Sequence, residues 1–335
     1  MPKNVPVALL YNLDPRWTLA EQSEVTETTS LLADAIAAVG HPTTLAPVKS
    51  DDIDAALGAF DPLEHVVFNW CESVPGIPQS EPAAARTLES LGFAFTGSSS
   101  RTLALAANKQ RVRLMLERAG ITGPHWRICD KPAAHGWCWF PAIVKSAHDH
   151  SSIGITRDSV VMTPGELRAR IAFMLETCRK PVLVEEFIDG REFHIALWGN
   201  DPVVALPPVE MDYSTFTDVR DRLCTFDAKF VPDSVHFQGL EAVLPVKLPA
   251  CKLRALERVS KTAYKVVGCR DYARVDVRLR NGVCHVLDVN PNADISAHAS
   301  VARAANHAGH SYGETGSRIV HMAATRHPVW GAEEK

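Results

Sequence analysis

Short apolar runs alternate with helical segments over the first hundred residues, and this alternation limits the fold more than any other feature. Val5 to Tyr11 and His65 to Asn69 are apolar enough for buried strands, and Phe93 to Thr96 is a candidate third strand. Thr28 to Val39 and Ala83 to Leu91 lie between them and each stops at a glycine, as helices commonly do. Strands that alternate with helices predict a parallel sheet with helical crossovers. No Gly-x-Gly-x-x-Gly follows the first strand, so the dinucleotide-binding motif is absent.

Beyond residue 100 the pattern changes to helices mixed with antiparallel hairpins. The sequence predicts helices over Thr102 to Ala119, Pro164 to Cys178, Pro249 to Val267 and after a capping box of Ser311 and Glu314. It predicts strands over Pro141 to Ser146 and Pro181 to Phe187, and two hairpins: Arg191 to Trp198 with Pro202 to Val209, and Asp271 to Leu279 with Val283 to Asn290. The predicted class is therefore α/β, with α+β character in the C-terminal part.

Composition and charge exclude several classes of protein. Of the 335 residues, 46% are apolar and 22% are charged, which is typical of a globular chain. Lysine and arginine total 35 against 39 acidic residues, so a net charge of −4 offers no overall attraction for nucleic acid or anionic membranes. No apolar stretch approaches the roughly 20 residues that cross a bilayer, and Met1 to Asn4 do not begin a signal peptide. We therefore expect a cytoplasmic protein that binds any anion through a local cluster of basic groups.

The eight cysteines and 14 histidines give no metal pattern. No Cys-x-x-Cys is present, and no cysteine lies near a histidine at zinc-ligand spacing, so we predict reduced, mostly buried thiols. Cys71 follows a predicted strand beside Glu72, and a role as covalent nucleophile is the less favoured interpretation.

The last hairpin carries the most informative side chains. Asp271 to Leu279 alternates strictly, which places Arg274 and Asp276 on one face, and Asp288 and Asn290 share a face of the partner strand. A two-residue turn would put the two aspartates on opposite faces. A three-residue turn of Arg280-Asn281-Gly282 would put them on one side, with Arg274 across from Asp288. We favour the three-residue turn, because the alternative leaves charges on the buried face. Two carboxylates and an amide oxygen then suit Mg²⁺, and a solvated ion pair is the simpler alternative.

These residues resemble the ATP-grasp superfamily, in its D-alanine–D-alanine ligase branch. Arg274-Val-Asp276 followed by Asp288-Val-Asn290 is similar to the metal-binding end of that fold, and further matches keep the family's order over most of the chain. The resemblance implies an ATP-grasp fold with an N-terminal Rossmann-like domain (residues 1–100), a small central domain (101–185) and a C-terminal sheet domain (186–330). It also implies ATP and Mg²⁺ as cofactors, with Asp276, Asp288 and Asn290 as metal ligands, and a homodimer.

The same resemblance implies a nucleotide site. Its matching residues are the phosphate lysines Lys109 and Lys145, Ser151 and Ser152 in the phosphate loop before Gly154, the adenine hinge of Glu185, Glu186, Phe187 and Ile188, the ribose carboxylate Glu192, and the γ-phosphate lysine Lys229. Phosphoryl transfer depends mainly on positioning and charge neutralisation, which lysines from separate elements and a metal would supply. Arg274 would brace the negative charge that develops on the reacting group, and Ser151 and Lys229 complete the predicted catalytic residues.

The implied reaction has two steps. A substrate carboxylate takes the γ-phosphoryl group of ATP to form an acyl phosphate, and an amine then displaces the phosphate to give an amide bond. No enzyme nucleophile is needed, and no Ser/His/Asp or Cys/His motif suggests one.

The substrate end departs from the family. Trp70-Cys71-Glu72 stands where the family has a histidine, Phe230 replaces a tyrosine, and Ala299 occupies the place of a serine that holds a substrate carboxylate. Glu72 and Asp294 would put negative charge where the family neutralises a carboxylate. We therefore hypothesise that the substrates are not two D-alanines and that a cationic, amide-like or ureido-bearing small molecule fits better, including one that condenses with itself. A true D-alanine–D-alanine ligase and a non-catalytic ATP-binding regulator are the alternatives.

Overall fold

The computed structural model describes residues 4–148, 155–225, 231 and 233–332, and within them the chain forms three sheets. No helix among these residues is long and apolar enough to cross a bilayer. The domain boundaries drawn from the sequence stay a prediction.

The N-terminal sheet is entirely parallel, as predicted. Its strand order is β2-β1-β3-β4. The strands are β1 (Val7–Asn12), β2 (Thr43–Val48), β3 (Val66–Trp70) and β4 (Ala94–Phe95), and the helices between them are α1 (Leu19–Ala38), α2 (Ile53–Leu57) and α3 (Glu81–Ser90). Helix α1 begins at Leu19 rather than at the predicted Thr28, because Thr18 and Glu21 form a capping box at its N-terminus.

The segment predicted as one helix over Thr102 to Ala119 is two helices, and that prediction is wrong. Helix α4 spans Ser100–Ala106 and α5 spans Lys109–Arg118. The Asn108 side chain accepts the backbone N–H of Arg111 at 3.0 Å, so it caps a new helix instead of continuing the previous one. The break places Lys109 at the first position of α5.

The central sheet is antiparallel, with order β5-β8-β6-β7. Its elements are β5 (Trp126–Cys129), β6 (Ala142–Ser146), β7 (Val160–Val161), α6 (Pro164–Cys178) and β8 (Val182–Glu186). Helix α6 has the predicted bounds and packs Leu167, Ile171 and Met174 onto this sheet.

The C-terminal sheet is antiparallel in the order β12-β11-β9-β13-β14, with β10 paired to β9. Its strands are β9 (Arg191–Trp198), β10 (Val204–Ala205), β11 (Val209–Asp212), β12 (Glu241–Val243), β13 (Tyr272–Arg280) and β14 (Val283–Pro291). The accompanying helices are α7 (Val235–Gly239), α8 (Ala250–Val267), α9 (Ser300–His307) and α10 (Tyr312–Ala324). The predicted capping box of Ser311 and Glu314 opens α10, which packs against α1 of the N-terminal sheet.

The turn between β13 and β14 differs from the favoured prediction. It has two residues, Asn281 and Gly282, both with positive φ, and Arg280 pairs with Val283. A β-bulge follows farther from the turn: Val277 pairs with Val286, whereas Asp276 pairs with Asp288, so Leu287 is the extra residue. The aspartates therefore share a face as predicted, but a bulge and not a three-residue turn is the reason.

Candidate functional site

The candidate site lies on one face of the β13–β14 pair. Asp276 stands directly across from Asp288, and Arg274 across from Asn290. Directly opposed residues of an antiparallel pair project to the same side, so these four side chains form one polar patch. The predicted pairing of Arg274 with Asp288 is wrong: the two-residue turn and the bulge each shift the register by one residue, so Arg274 stands two residues farther along β14, across from Asn290.

Asp276 is surrounded by donors. Arg274 donates Nε and Nη2 to its two carboxylate oxygens at 2.7 and 3.0 Å, and Asn290 donates Nδ2 to Oδ2 at 2.9 Å. His194, which faces it from β9, lies with Nε2 3.8 Å from Oδ1. Burial alone would lower the pKa of Arg274, but the neighbouring Asp276 outweighs it and the net direction is upward. The guanidinium is therefore a permanent charge at the centre of the patch.

Asp288 is held by a lysine from another part of the chain. Lys109 Nζ lies 2.9 Å from Asp288 Oδ2, and its side chain is nearly buried at the start of α5. Burial tends to raise the pKa of Asp288, but Lys109 and Lys145 outweigh burial, so the pKa is lowered and the carboxylate stays charged. Two predicted phosphate lysines and one predicted metal ligand thus form a single electrostatic cluster.

Lys145 reaches the same cluster through a buried ion pair. Its Nζ lies 2.7 Å from Glu185 Oε2, and the other oxygen of Glu185 accepts from Arg113 Nε. Glu185 is 2% exposed. Burial would raise its pKa, but Arg113 and Lys145 together lower it. Burial lowers the pKa of Lys145, an effect that Glu185 opposes.

The predicted adenine hinge follows Glu185 at the end of β8. The backbone N–H groups of Glu186 and Phe187 donate to the carbonyls of His125 and Pro141, both at 2.8 Å. The Glu186 carboxylate pairs with Arg280 at 2.7 Å, and the side chains of Phe187 and Ile188 are buried.

Glu192, the predicted ribose carboxylate, already has two protein partners. Arg278 donates Nε to Oε2 at 2.8 Å, and His194 Nε2 lies 3.4 Å from Oε1. Burial would raise its pKa, but Arg278 and His194 lower it to about 2. Glu192 is therefore a buried anion of the sheet, beside the Asp276 patch.

Three of the predicted substrate residues, Asp294, Ala299 and Glu72, lie in loops or at a helix start among the described residues. Asp294 is exposed, accepts from the backbone and hydroxyl of Ser296, and is close enough to raise the pKa of Arg274. Ala299 is the N-cap of α9 and offers no side-chain cap. Glu72 is exposed and lies near Glu81. Ser151, Ser152, Lys229 and Phe230 lie outside the described residues.

Three residues of the site were not anticipated from the sequence. They are Arg113, His194 and Glu81. Burial and the nearby Glu72 raise the pKa of Glu81 to about 8, an effect that Asn292 counteracts. Only Arg113 had a usable sequence signal, since it follows Lys109 by four residues and so shares its helix face.

The donor set fits Mg²⁺ better than a transition metal. No cluster of three His, Cys, Asp or Glu ligands exists among the described residues. Two opposed carboxylates with a carboxamide beside them offer only hard oxygen atoms, and Mg²⁺ usually takes one or two carboxylates plus water and phosphate oxygens. Because Arg274 and Lys109 now hold these carboxylates, the patch is charge-balanced before any cation binds.

Comparisons with known proteins give the relatives of this chain. A family model described as the D-ala D-ala ligase C-terminus matches residues 115–321. An uncharacterized protein, y4sG, of Sinorhizobium fredii is 32% identical over 277 residues, 80% of this chain and 78% of the relative. D-alanine–D-alanine ligase B of Chromobacterium violaceum is 30% identical over 284 residues, covering 80% of this chain and 86% of the relative.

Solved structures share the fold over the whole length. The D-alanine–D-alanine ligase of Bacillus anthracis complexed with ATP superimposes with a TM-score of 0.72 at 16% identity, covering 98% of this chain and 99% of that one. The corresponding ligase of Coxiella burnetii gives a TM-score of 0.73 at 16% identity, with coverage of 98% and 97%. The three-sheet architecture is therefore that of these ligases.

Proposed function

The chain belongs to the D-alanine–D-alanine ligase family of the ATP-grasp superfamily, and on that basis we propose that it is a Mg-ATP-dependent ligase that joins a carboxylate to an amine through an acyl phosphate. The substrates are small, amino-acid-like molecules. The observation that carries this proposal is the direct opposition of Asp276 and Asp288 beside Lys109 and Lys145. Such a cluster can neutralise a triphosphate in a protein whose net charge is −4.

The residues of the Asp276–Asp288 patch have separate tasks in this proposal. Asp276, Asp288 and Asn290 would hold Mg²⁺, which when bound supplies positive charge to the phosphate oxygens. Lys109, which lies against Asp288, and Lys145 would contact the phosphates. Arg274 stays charged at every working pH and stabilises the negative charge of the reacting acyl group.

The remaining assignments concern the two ends of the nucleotide and the closing loops. Glu185 to Ile188 would receive the adenine, with Glu192 next to the ribose. Ser151, Ser152 and Lys229 would act on the γ-phosphate.

We infer further that the substrates are not two D-alanines. Ala299 has no hydroxyl, and the adjacent Ser300 hydroxyl is 2.9 Å from His194 Nδ1 and is thus engaged. The carboxylates of Glu72 and Asp294 lie at this end instead, both close enough to Tyr272 to raise its pKa. Glu81 lies beside Glu72, but its pKa of about 8 leaves it largely protonated at neutral pH, so it adds a hydrogen-bond donor and not a full charge. An excess of acid favours a substrate with a cationic, amide-like or ureido group, and it is compatible with one molecule closing on itself.

Phosphate release from ATP tests this proposal. The purified protein is assayed with amino acids and related carboxylates, singly and in pairs, with paired D-alanines as one member of the set. We expect turnover with a substrate other than D-alanine, and loss of turnover in Asp288→Ala. Asp130→Ala is the matched control and should keep full activity, because Asp130 is exposed and directly follows β5.

The outcomes separate the alternatives. Turnover that survives in Asp288→Ala contradicts the metal assignment. D-alanine as the best substrate contradicts the substrate proposal and favours a D-alanine–D-alanine ligase, the activity named for the Chromobacterium relative. Nucleotide binding without phosphate release across the whole set favours a regulatory protein.

A further inference from the structure

Arg113 makes a set of contacts that no predicted role explains. It lies on α5 and is 4% exposed. Its Nη1 donates to the carbonyl of Val286 at 2.7 Å, its Nη2 donates to the carbonyl of Leu287, and its Nε donates to Glu185. One planar guanidinium therefore joins a helix, the bulge of β14 and the end of β8.

The bulge is the feature that aligns the two aspartates. Near the turn Val277 pairs with Val286, and beyond Leu287 Asp276 pairs with Asp288, so one residue of β14 is skipped in the pairing. Without the extra residue, Leu287 instead of Asp288 would oppose Asp276, and Asp288 would project from the other face of the sheet. The alignment of the predicted metal ligands thus depends on the backbone at Val286 and Leu287.

Arg113 holds that backbone in place. Among the described residues, β14 is the edge strand of its sheet, and no strand there pairs with its outer backbone groups. Thr122 accepts the backbone N–H of Val286 at 2.9 Å, and Arg113 binds the two carbonyls of the bulge. A buried carbonyl without a donor costs free energy, so these bonds favour the bulged register.

The third contact of Arg113, to Glu185, links it to the predicted phosphate lysine Lys145. Glu185 shares its carboxylate between Arg113 and Lys145, and Arg113 therefore fixes the position of the anion that orients the lysine. Lys109 and Arg113 lie four residues apart on one face of α5, so the same helix face holds Asp288 directly and positions the bulge before it.

We propose that Arg113 is a positioning residue that couples the metal-binding carboxylates to the phosphate lysine, through the bulge at Leu287 and through Glu185. This inference rests on the proposed Mg-ATP site. A lysine cannot replace it, because one ammonium group lacks the planar arrangement of donors that reaches three acceptors.

Binding of the nonhydrolysable analogue AMP-PNP, measured by calorimetry with Mg²⁺ and with EDTA, provides the test. The ratio of the two dissociation constants is the metal-dependent gain in affinity. We expect Arg113→Gln and Arg113→Lys to reduce this gain by about tenfold or more, as loss of a partner of metal ligands does, and also to weaken metal-free binding through Lys145. Arg111→Gln, an exposed arginine on the same helix, should leave both quantities at their wild-type values.

Thermal unfolding of the same variants separates positioning from folding. A lower melting temperature with an unchanged metal-dependent gain would assign Arg113 a structural role only and overturn the inference. If Arg113→Gln does not fold, Arg113→Lys decides by the same criterion. Failure of the wild-type protein to bind AMP-PNP would overturn the proposed function itself, whereas wild-type binding with unaffected variants would overturn only the role of Arg113.

Discussion

The ion pair between Glu192 and Arg278 gives the most quantitative prediction of this structure. Glu192 lies on β9 and Arg278 directly opposite on β13, and both side chains are less than 10% exposed. The pKa of Glu192 is about 2 instead of 4.5. At about 1.4 kcal/mol per pH unit, this difference corresponds to about 3 kcal/mol of folding stability at neutral pH.

Glu192→Gln should therefore lower the free energy of unfolding by about 3 kcal/mol at pH 7, because a charged Arg278 stays buried without its anion. The sign of the pH dependence follows from the lowered pKa. The contribution is complete above the ordinary pKa of 4.5 and is lost as the pH falls toward 2, so the gap between variant and wild type should narrow to about 1 kcal/mol near pH 3.

Urea unfolding followed by tryptophan fluorescence, at several pH values between 7 and 3, measures this gap. Glu210→Gln is the matched control, because Glu210 pairs with Arg191 on the same sheet but the Arg191 side chain is 44% exposed. An exposed pair contributes about 0–1 kcal/mol. Equal losses in the two variants, or a Glu192→Gln loss that does not change with pH, would refute the reasoning.

Two further predictions concern Lys145 and Cys71. Lys145→Met should weaken AMP-PNP binding by about tenfold or more, as loss of a charge-assisted contact does. Burial lowers the pKa of Lys145, so the wild-type affinity for AMP-PNP should decline as the pH rises toward 10.5. This decline should be absent in the variant. Binding isotherms measured at a series of pH values check both statements. Burial raises the pKa of the Cys71 thiol to about 12. Iodoacetamide at pH 8 should therefore label the exposed Cys138 but not Cys71, as read by mass spectrometry. Labelling of Cys71 in the folded protein would contradict its burial.

Local patterns were enough to predict most elements that build the site. Apolar runs and glycine stops predicted three of the four strands of the parallel N-terminal sheet, without β2, and helix α6 has its predicted bounds. Strict alternation in β13 placed Arg274 and Asp276 on one face. These features depend on neighbours in sequence, which a single chain displays directly.

Features that depend on distant partners were not predictable in the same way. The bulge at Leu287 is favoured by Arg113, which lies more than 170 positions earlier, and no local pattern in β14 marks it. A two-residue turn alone predicts charges on the buried face, and only the bulge farther along β14 returns Asp288 to the polar face. The break before α5 depends on Asn108 acting as a helix cap, a role that the apolar pattern of the segment does not indicate.

The position of the cation tests the central claim most directly. Crystals grown with AMP-PNP and Mn²⁺ can locate the ion by anomalous scattering. The account predicts an ion at about 2.1 Å from oxygens of Asp276 and Asp288, with Asn290 as the third protein ligand. An ion bound elsewhere, with Asp276 still held by Arg274 and Asp288 by Lys109, would contradict it.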